Sequence, residues 1–429
     1  MKPRILTCIT TITLFAALAF PIRLAAQVQD QQPPRYTVTD LGTLGGPFFS
    51  QAFGLNNKGS VVGFAELLGD TDFPTGFPPV HAFLWRKGLM TDLGSFGGRV
   101  SQAISVNERG EVVGSSQTSA TDPSGEDFCD SGDFLICLPF LWQDGVMTPL
   151  PTLGGNNGTA AGINNRGQEV GYAETATPDP SCSASQVGFT FRLKPALWEK
   201  GEVQELPTVP GFPIGAAFAI NDKGQAVGVS ADCDLVFARA LLWHNGRVTE
   251  LENLGPSPQP TGINNRGQVV GGAPGLPGGG AFLWQNGVIT DLGTVPGDVV
   301  SGAGSINDKG QVIGQSCDID DNCSAFLWQN GVMMDLNTLI PADSTLALFE
   351  ASGINSRGEI VGVASTSTGD FRAFLAIPSN GEATSATAAA RGETSQRPKF
   401  VLSENARKLL RHRLAQRYHI PGLASLPQK

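Results

Sequence analysis

The apolar positions of this chain fall into short runs that recur in one order seven times. Each copy has a strand of small residues, then Ile, Val or Leu with Asn, a Lys or Arg, Gly, and a second strand that ends in Gly. The copies are Leu55–Gly59, Val106–Gly110, Ile163–Gly167, Ile220–Gly224, Ile263–Gly267, Ile306–Gly310 and Ile354–Gly358. Their turn glycines follow one another at steps of 51, 57, 57, 43, 43 and 48 residues. A period of this size marks a repeat array, in which most recurring residues belong to the scaffold.

Four strands are predicted per copy. Strand A precedes the Asn, and two positions before that Asn stands only Gly, Ser or Ala, from Gly54 to Gly353. Small side chains on one face of a strand suit a place where several sheets converge and backbones approach closely. The Asn-x-Lys/Arg-Gly that follows fits a hairpin on a type I turn with Gly in the left-handed position. Strand B is Val-Val or a near copy, as at Val61-Val62 and Val312-Ile313. Strand C is Ala-Phe-Leu-Trp or close to it, as at Ala82–Trp85 and Ala325–Trp328, and an Asn-Gly turn such as Asn286-Gly287 leads to strand D. Four strands in 43 to 57 residues match one blade of a β-propeller.

The phase of the repeat bears on closure. The seventh copy has strands A, B and C, the last at Arg372–Ile377, and no strand D. A spare strand D stands near the start of the chain at Tyr36–Gly42. Pairing these two ends completes the last blade and leaves no open edge at the seam. The expectation is an all-β, seven-bladed β-propeller over residues 27–378, with four-stranded blades and a ring closed by the N-terminal strand. An open solenoid of β-hairpins is the alternative.

The ends of the chain are different material. Met1–Ala26 reads as a secretory signal peptide: Lys2 and Arg4 precede the apolar run Ile5–Phe20, and Leu24-Ala25-Ala26 offers a small-residue cleavage site. That run is shorter than the ~20 residues of a membrane span, and no later segment qualifies, so no transmembrane segment is expected. Residues 379–398, rich in Ser, Ala, Thr and Gly, read as a low-complexity linker. Residues 399–429 read as a basic amphipathic helical tail, with Leu402, Ala406, Leu409, Leu410 and Leu414 among Arg407, Lys408, Arg411 and Arg413. Such a helix can lie solvated, dock on the acidic body, or touch a membrane or wall surface.

Losing Lys2, Arg4 and Arg23 with the signal takes the net charge from −10 to −13, which disfavours nucleic acid as a partner. The expected destination is extracellular, or periplasmic in a cell with an outer membrane. Six cysteines remain, and an even number in an oxidising compartment reads as disulfides. Cys129–Cys137 and Cys317–Cys323 each lie within one loop, and Cys182 and Cys233 are left to bridge neighbouring blades.

The stretch His81-Ala82-Phe83-Leu84-Trp85, Thr91-Asp92-Leu93-Gly94, Val106-Asn107, Gly110 and Val112-Val113-Gly114 resembles a full unit of the HAF family of extracellular repeat proteins. The resemblance covers about Tyr36–Ile377. It implies export and brings no catalytic residues with it. The His of the motif is replaced in the other copies by Leu138, Lys194, Arg239, Gly280, Ser324 and Arg372.

Recurring polar and aromatic residues are read as scaffold. All six tryptophans occupy one repeat position, which points to packing between sheets rather than to sugar stacking. The strand-D aspartates (40, 92, 291, 335) are read as turn partners, and the recurrent Asn as local backbone chemistry. Outside the tail the histidines are His81 and His244, too few for a metal cluster or a catalytic triad. The Gly-Gly pairs at 45-46, 97-98 and 154-155 lack the helix start of a phosphate loop.

What varies is the B–C connection, and strand parity puts all seven at one end of the sheets, opposite the tight turns. Variation on one rim of a rigid scaffold is where function is usually carried. These connections hold Asp70, Asp72, Asp122, Glu126, Asp127, Asp130, Asp133, Glu174, Asp179, Asp232, Asp234, Asp318, Asp320, Asp321 and Asp370, against Arg192, Lys194 and Arg239. In the Cys317–Cys323 loop, Asp318, Asp320 and Asn322 put oxygens at alternate positions, the opening spacing of a Ca²⁺ loop without its later Gly and distant Glu. The loop reads as a Ca²⁺ site or as a disulfide-pinned acidic loop; no other cofactor is expected. The leading functional expectation is a monomeric, exported, non-enzymatic propeller that binds a protein or polysaccharide partner through an acidic loop face. The competing readings are a glycan hydrolase or lyase with paired acids at the mouth of a central channel, and a structural cell-surface protein.

Overall fold

The structure is a computed structural model that describes residues 33–68, 78–177, 180–182 and 193–379. The expected signal segment, the linker from residue 380 onward and the helical tail lie outside the described residues, as do Asp70, Asp72, Asp179 and Arg192. The described chain is all-β, with 28 strands and two short 3₁₀ turns at Pro180–Cys182 and Leu336–Thr338, and every strand lies in the unit that begins at Pro34.

Four sheets are four-stranded antiparallel meanders in chain order. The first of them runs Gly154–Ile163, Gln168–Thr175, Leu193–Glu199 and Glu202–Glu205. The other twelve strands form one larger sheet, in which the single parallel bridges Phe49–Phe371 and Val80–Val100 join three antiparallel groups. One of those groups holds the first strand of the chain. Arg35–Asp40 pairs antiparallel with Phe371–Ser379, in register from Arg35 opposite Ser379 to Asp40 opposite Phe374. It stands fourth beside Leu346–Ile354, Ile360–Thr366 and Phe371–Ser379. That last strand runs one residue into the segment read as linker.

Strand B does not end at its glycine, as the sequence suggested. It continues to Leu67, Thr121, Thr175, Ala231, Gly272, Cys317 and Thr366 in the seven copies. The cause lies in strand A, whose register shifts between its two small positions in every copy: Ala52/Gly54, Ala103/Ser105, Ala160/Gly162, Ala217/Ala219, Pro260/Gly262, Ala303/Ser305 and Ala351/Gly353. The bulge presses the preceding carbonyl onto strand B. A Cβ at Gly63 would collide with the Gln51 carbonyl oxygen, and one at Gly171 with that of Thr159. The glycine is therefore a mid-strand contact that admits no side chain.

The core lies between successive sheets. Val62, Ala82, Leu84 and Leu93 of the first unit pack with Ala103, Val106, Val112 and Phe140 of the second. The tryptophans serve this packing, as expected. Trp198 and Trp243 are buried and donate their indole N–H to the carbonyls of Pro151 and Pro207. Trp85, Trp142, Trp284 and Trp328 pack at the margins of the clusters.

All three expected disulfides form. Cys182–Cys233 ties the third unit to the fourth, whereas Cys317–Cys323 closes a separation of six residues. Replacing Cys317 and Cys323 by Ser is expected to cost about 2 kcal/mol, as befits so short a loop. A urea titration with an unmoved midpoint would count against that figure.

Candidate functional site

Antiparallel pairing puts the A–B and C–D turns at one end of the sheets and the B–C and D–A connections at the other. At the tight-turn end, the seven turn glycines have φ between +76° and +87°, the left-handed conformation that the sequence called for. The Asn before each turn does more than organise its own loop. Asn56 Oδ1 accepts the backbone N–H of Lys58 and of Ser60, which is the expected local role. Its Nδ2 also donates to the carbonyl of Asn107 in the next unit, at 2.9 Å. The same bond runs from Asn107 to Asn164, to Asn221, to Asn264, to Asn307 and to Asn355. It then returns from Asn355 to the Asn56 carbonyl, 299 positions back in the chain. These asparagines are 3–5% exposed, so each bond is made away from water. Sequence reasoning found the turn and missed the link between units.

A cavity of about 150 Å³ lies where the A strands converge, lined by residues of all seven copies, from Phe53–Leu55 to Gly353-Ile354. Its lining is apolar or small, with Ile104, Ile163, Phe218 and Ile263 beside Gly162 and Ser305. No carboxylate belongs to that lining, so the facing acids that a channel-mouth hydrolase requires are not supplied by it.

The loop-bearing end departs from the expected picture in part. Asp122, Glu126 and Glu174 are buried, not on an acidic surface. They surround the fully buried Asn157, whose Nδ2 donates to a carboxylate oxygen of each, while its Oδ1 accepts the N–H of Cys137. Glu174 lies within strand B and also accepts the N–H groups of Asn156 and Asn157. The equivalent Glu66 accepts those of Phe48 and Phe49. The second glycine of each Gly-Gly pair makes room for this side chain: a Cβ at Gly46, Gly98 or Gly155 would strike Glu66, Gln117 or Glu174.

Other loop acids hold their loops. Asp127 accepts from Ser131 and Gly132, and Asp232 from Val236 and Phe237. In the Cys317–Cys323 loop, Asp318 accepts the N–H of Asp320 and Asn322, and both its oxygens face Asn322 Nδ2. The Asn322 amide against that carboxylate closes a hydrogen-bonded turn, and among the described residues no group of three or more His, Cys, Asp or Glu is arranged to hold a metal. Asp234, Asp320 and Asp321 are exposed. The same end displays apolar side chains that the sequence reading passed over: Phe48 (60% exposed), Phe134, Val236, Phe237, Val299 and Ile319 (74% exposed).

The strand-D aspartates act as turn partners: Asp40, Asp92 and Asp291 accept the N–H two residues on, from Gly42, Gly94 and Gly293. Asp92 also meets His81 Nδ1 at 3.0 Å. Burial alone would raise the Asp92 carboxyl, but the bonds from His81 and Gly94 outweigh it and hold it below its usual range.

No family model matches this sequence, and no curated protein does. Among solved structures the chain is similar to a prolyl endopeptidase (9% identity, TM-score 0.50, 80% of this chain and 48% of that one). It is also similar to the uncomplexed acylaminoacyl peptidase of Pyrococcus horikoshii (12%, TM-score 0.47, 79% and 52%). A third likeness is to the β-propeller domain of the Trilobed protease from Pyrococcus furiosus (9%, TM-score 0.45, 80% and 95%). The chain spans about half the length of the two peptidases. At these identities the likeness concerns fold, not activity.

Proposed function

We propose that this chain is an exported, non-enzymatic, seven-bladed β-propeller of the HAF type that binds a protein or polysaccharide partner at its loop-bearing end. Three observations support the ring: the pairing of Arg35–Asp40 with the last strand, the Asn bonds that return to Asn56, and a central cavity lined by all seven copies. Three disulfides suit an oxidising destination, and among the described residues no helix is long and apolar enough to cross a membrane.

The observation that carries the binding assignment is the set of large apolar side chains exposed at that end beside Asp234, Asp320 and Asp321. Exposed aromatic and aliphatic tips on loops fixed by disulfides and Asx turns suit recognition more than stability. Phe134 is held at φ +54°, a costly conformation for a bulky residue, while its ring stays in solvent. A partner that is cationic and partly apolar complements this surface.

The test is a screen of the chain at low salt against immobilised glycans and basic peptides. Binding is expected to weaken with added salt and to fall about fivefold in D318N/D320N/D321N. Asn at 318 keeps the Oδ1 that accepts the N–H of Asp320 and Asn322, and Asn at 321 tolerates the left-handed backbone of Asp321, so the melting temperature should hold. A ligand that binds this variant unchanged, and protects only the Asn turns from hydrogen exchange, would remove the site from this end.

A further inference from the structure

The seven copies allow one chain to be compared with itself. Two residues before the strand-B glycine stands Val61, Val112, Ala226, Val269, Val312 or Ile360 in six units, each buried, and each opposite the strand-C Trp except Ile360, which faces Ala376. In the third unit it is Glu169, also buried at 4% exposure and paired in register with Trp198. A carboxyl has replaced an apolar core residue at this one place. It lines a cleft of about 840 Å³ between the second and third units, toward the tight-turn end.

We propose that this cleft binds an alkylammonium group, such as a lysine side chain or a short diamine, with Glu169 as its counter-charge. The first support is the missing partner. The Glu169 carboxyl is bonded by its own backbone N–H, and among the described residues no salt bridge is made to it. The guanidinium groups nearby are already engaged. Arg109 donates to Glu111 and to the carbonyl of Asn165, and Arg166 donates to Gln168.

The second support is the local field. Burial, and after it the negative charges of Glu111 and Glu199, push the Glu169 carboxyl up to about 7, although Arg109 pulls the other way. Lys200 and Asp144, in the two C–D turns at the rim, balance each other. Arg166, on the same lining, is turned to the Gln168 amide, and the charges that act on Glu169 itself are two acids, Glu111 and Glu199, against the one guanidinium of Arg109, so a guest cation can take the place of its proton. The third support is shape. Leu141, Val146, Pro149 and Leu150 line the same cleft and suit the methylene stem that carries such a cation.

Calorimetric titration of the full chain with 1,5-diaminopentane tests this, with 1,5-pentanediol as the uncharged control. Binding is expected at pH 8 and should be about 100-fold weaker at pH 5, where the guest must displace a proton. It should fall at least about tenfold in E169Q, and also in E169V, which restores the residue of the other units and so keeps the fold. No heat of binding at pH 8, equal binding by E169V, or equal binding of the diol would each overturn the assignment.

Discussion

Deleting Arg35–Asp40 from the full chain is expected to cost on the order of 5 kcal/mol and to make the protein associate more than the intact chain does. Six register pairs with the last strand disappear, and with them the buried Tyr36 and its backbone bond to Leu339. Tyr36 belongs to the cluster formed by Leu336, Leu339, Leu348 and Phe374, so its loss opens a hydrophobic core as well as an edge. The last strand, Phe371–Ser379, would then present unpaired N–H and C=O groups, a template for a second chain. Thermal melting and light scattering after gel filtration read both effects. A deletion variant that associated no more than the intact chain, with its melting temperature intact, would remove the case for a ring sealed by its first strand.

Replacing Glu169 by Val is expected to stabilise the protein, and by more at pH 8 than at pH 4. In the unfolded chain this glutamate titrates near 4.5, and in the folded protein at about 7. Between those values the folded state holds the extra proton, so stability falls as pH rises through that window. The penalty is absent below about 4.5 and complete above about 7, where it amounts to about 3 kcal/mol. Val removes it and adds apolar contact beside Trp198. Urea melts of both proteins at the two pH values decide the matter. An equal gain at both would show that packing, and not the buried charge, sets the difference.

Much of the fold was legible because strand order, turn chemistry and repeat phase all agree. The spare strand at Tyr36–Gly42 and the missing seventh strand D were enough to anticipate the pairing of Arg35–Asp40 with Phe371–Ser379. What stayed hidden depends on backbone contacts across strands or units. Gly63 and its equivalents look like strand ends, because a glycine in sequence does not say whether a turn or a pressing carbonyl excludes its side chain. The Asn of each turn has a local role sufficient to explain it, which masked the bond its amide makes to the next unit. Asp122, Glu126 and Glu174 were counted as surface charge, since nothing in their spacing reveals that Asn157 gathers them inside. Glu169 was within reach: aligning the seven copies shows one acid in a column of Val, Ala and Ile.

The Asn series has a consequence for how the chain could be cut. Arrays of repeats ordinarily differ at their two termini, where the last unit lacks a neighbour. Here each amide donor meets a carbonyl acceptor and the seventh meets the first, so the series has no outermost member. A circularly permuted chain, opened between any two units and joined through Ser379 to Arg35 by a short linker, would retain all seven of these bonds. As far as this network is concerned, the seven junctions between units are therefore equivalent places to open the chain.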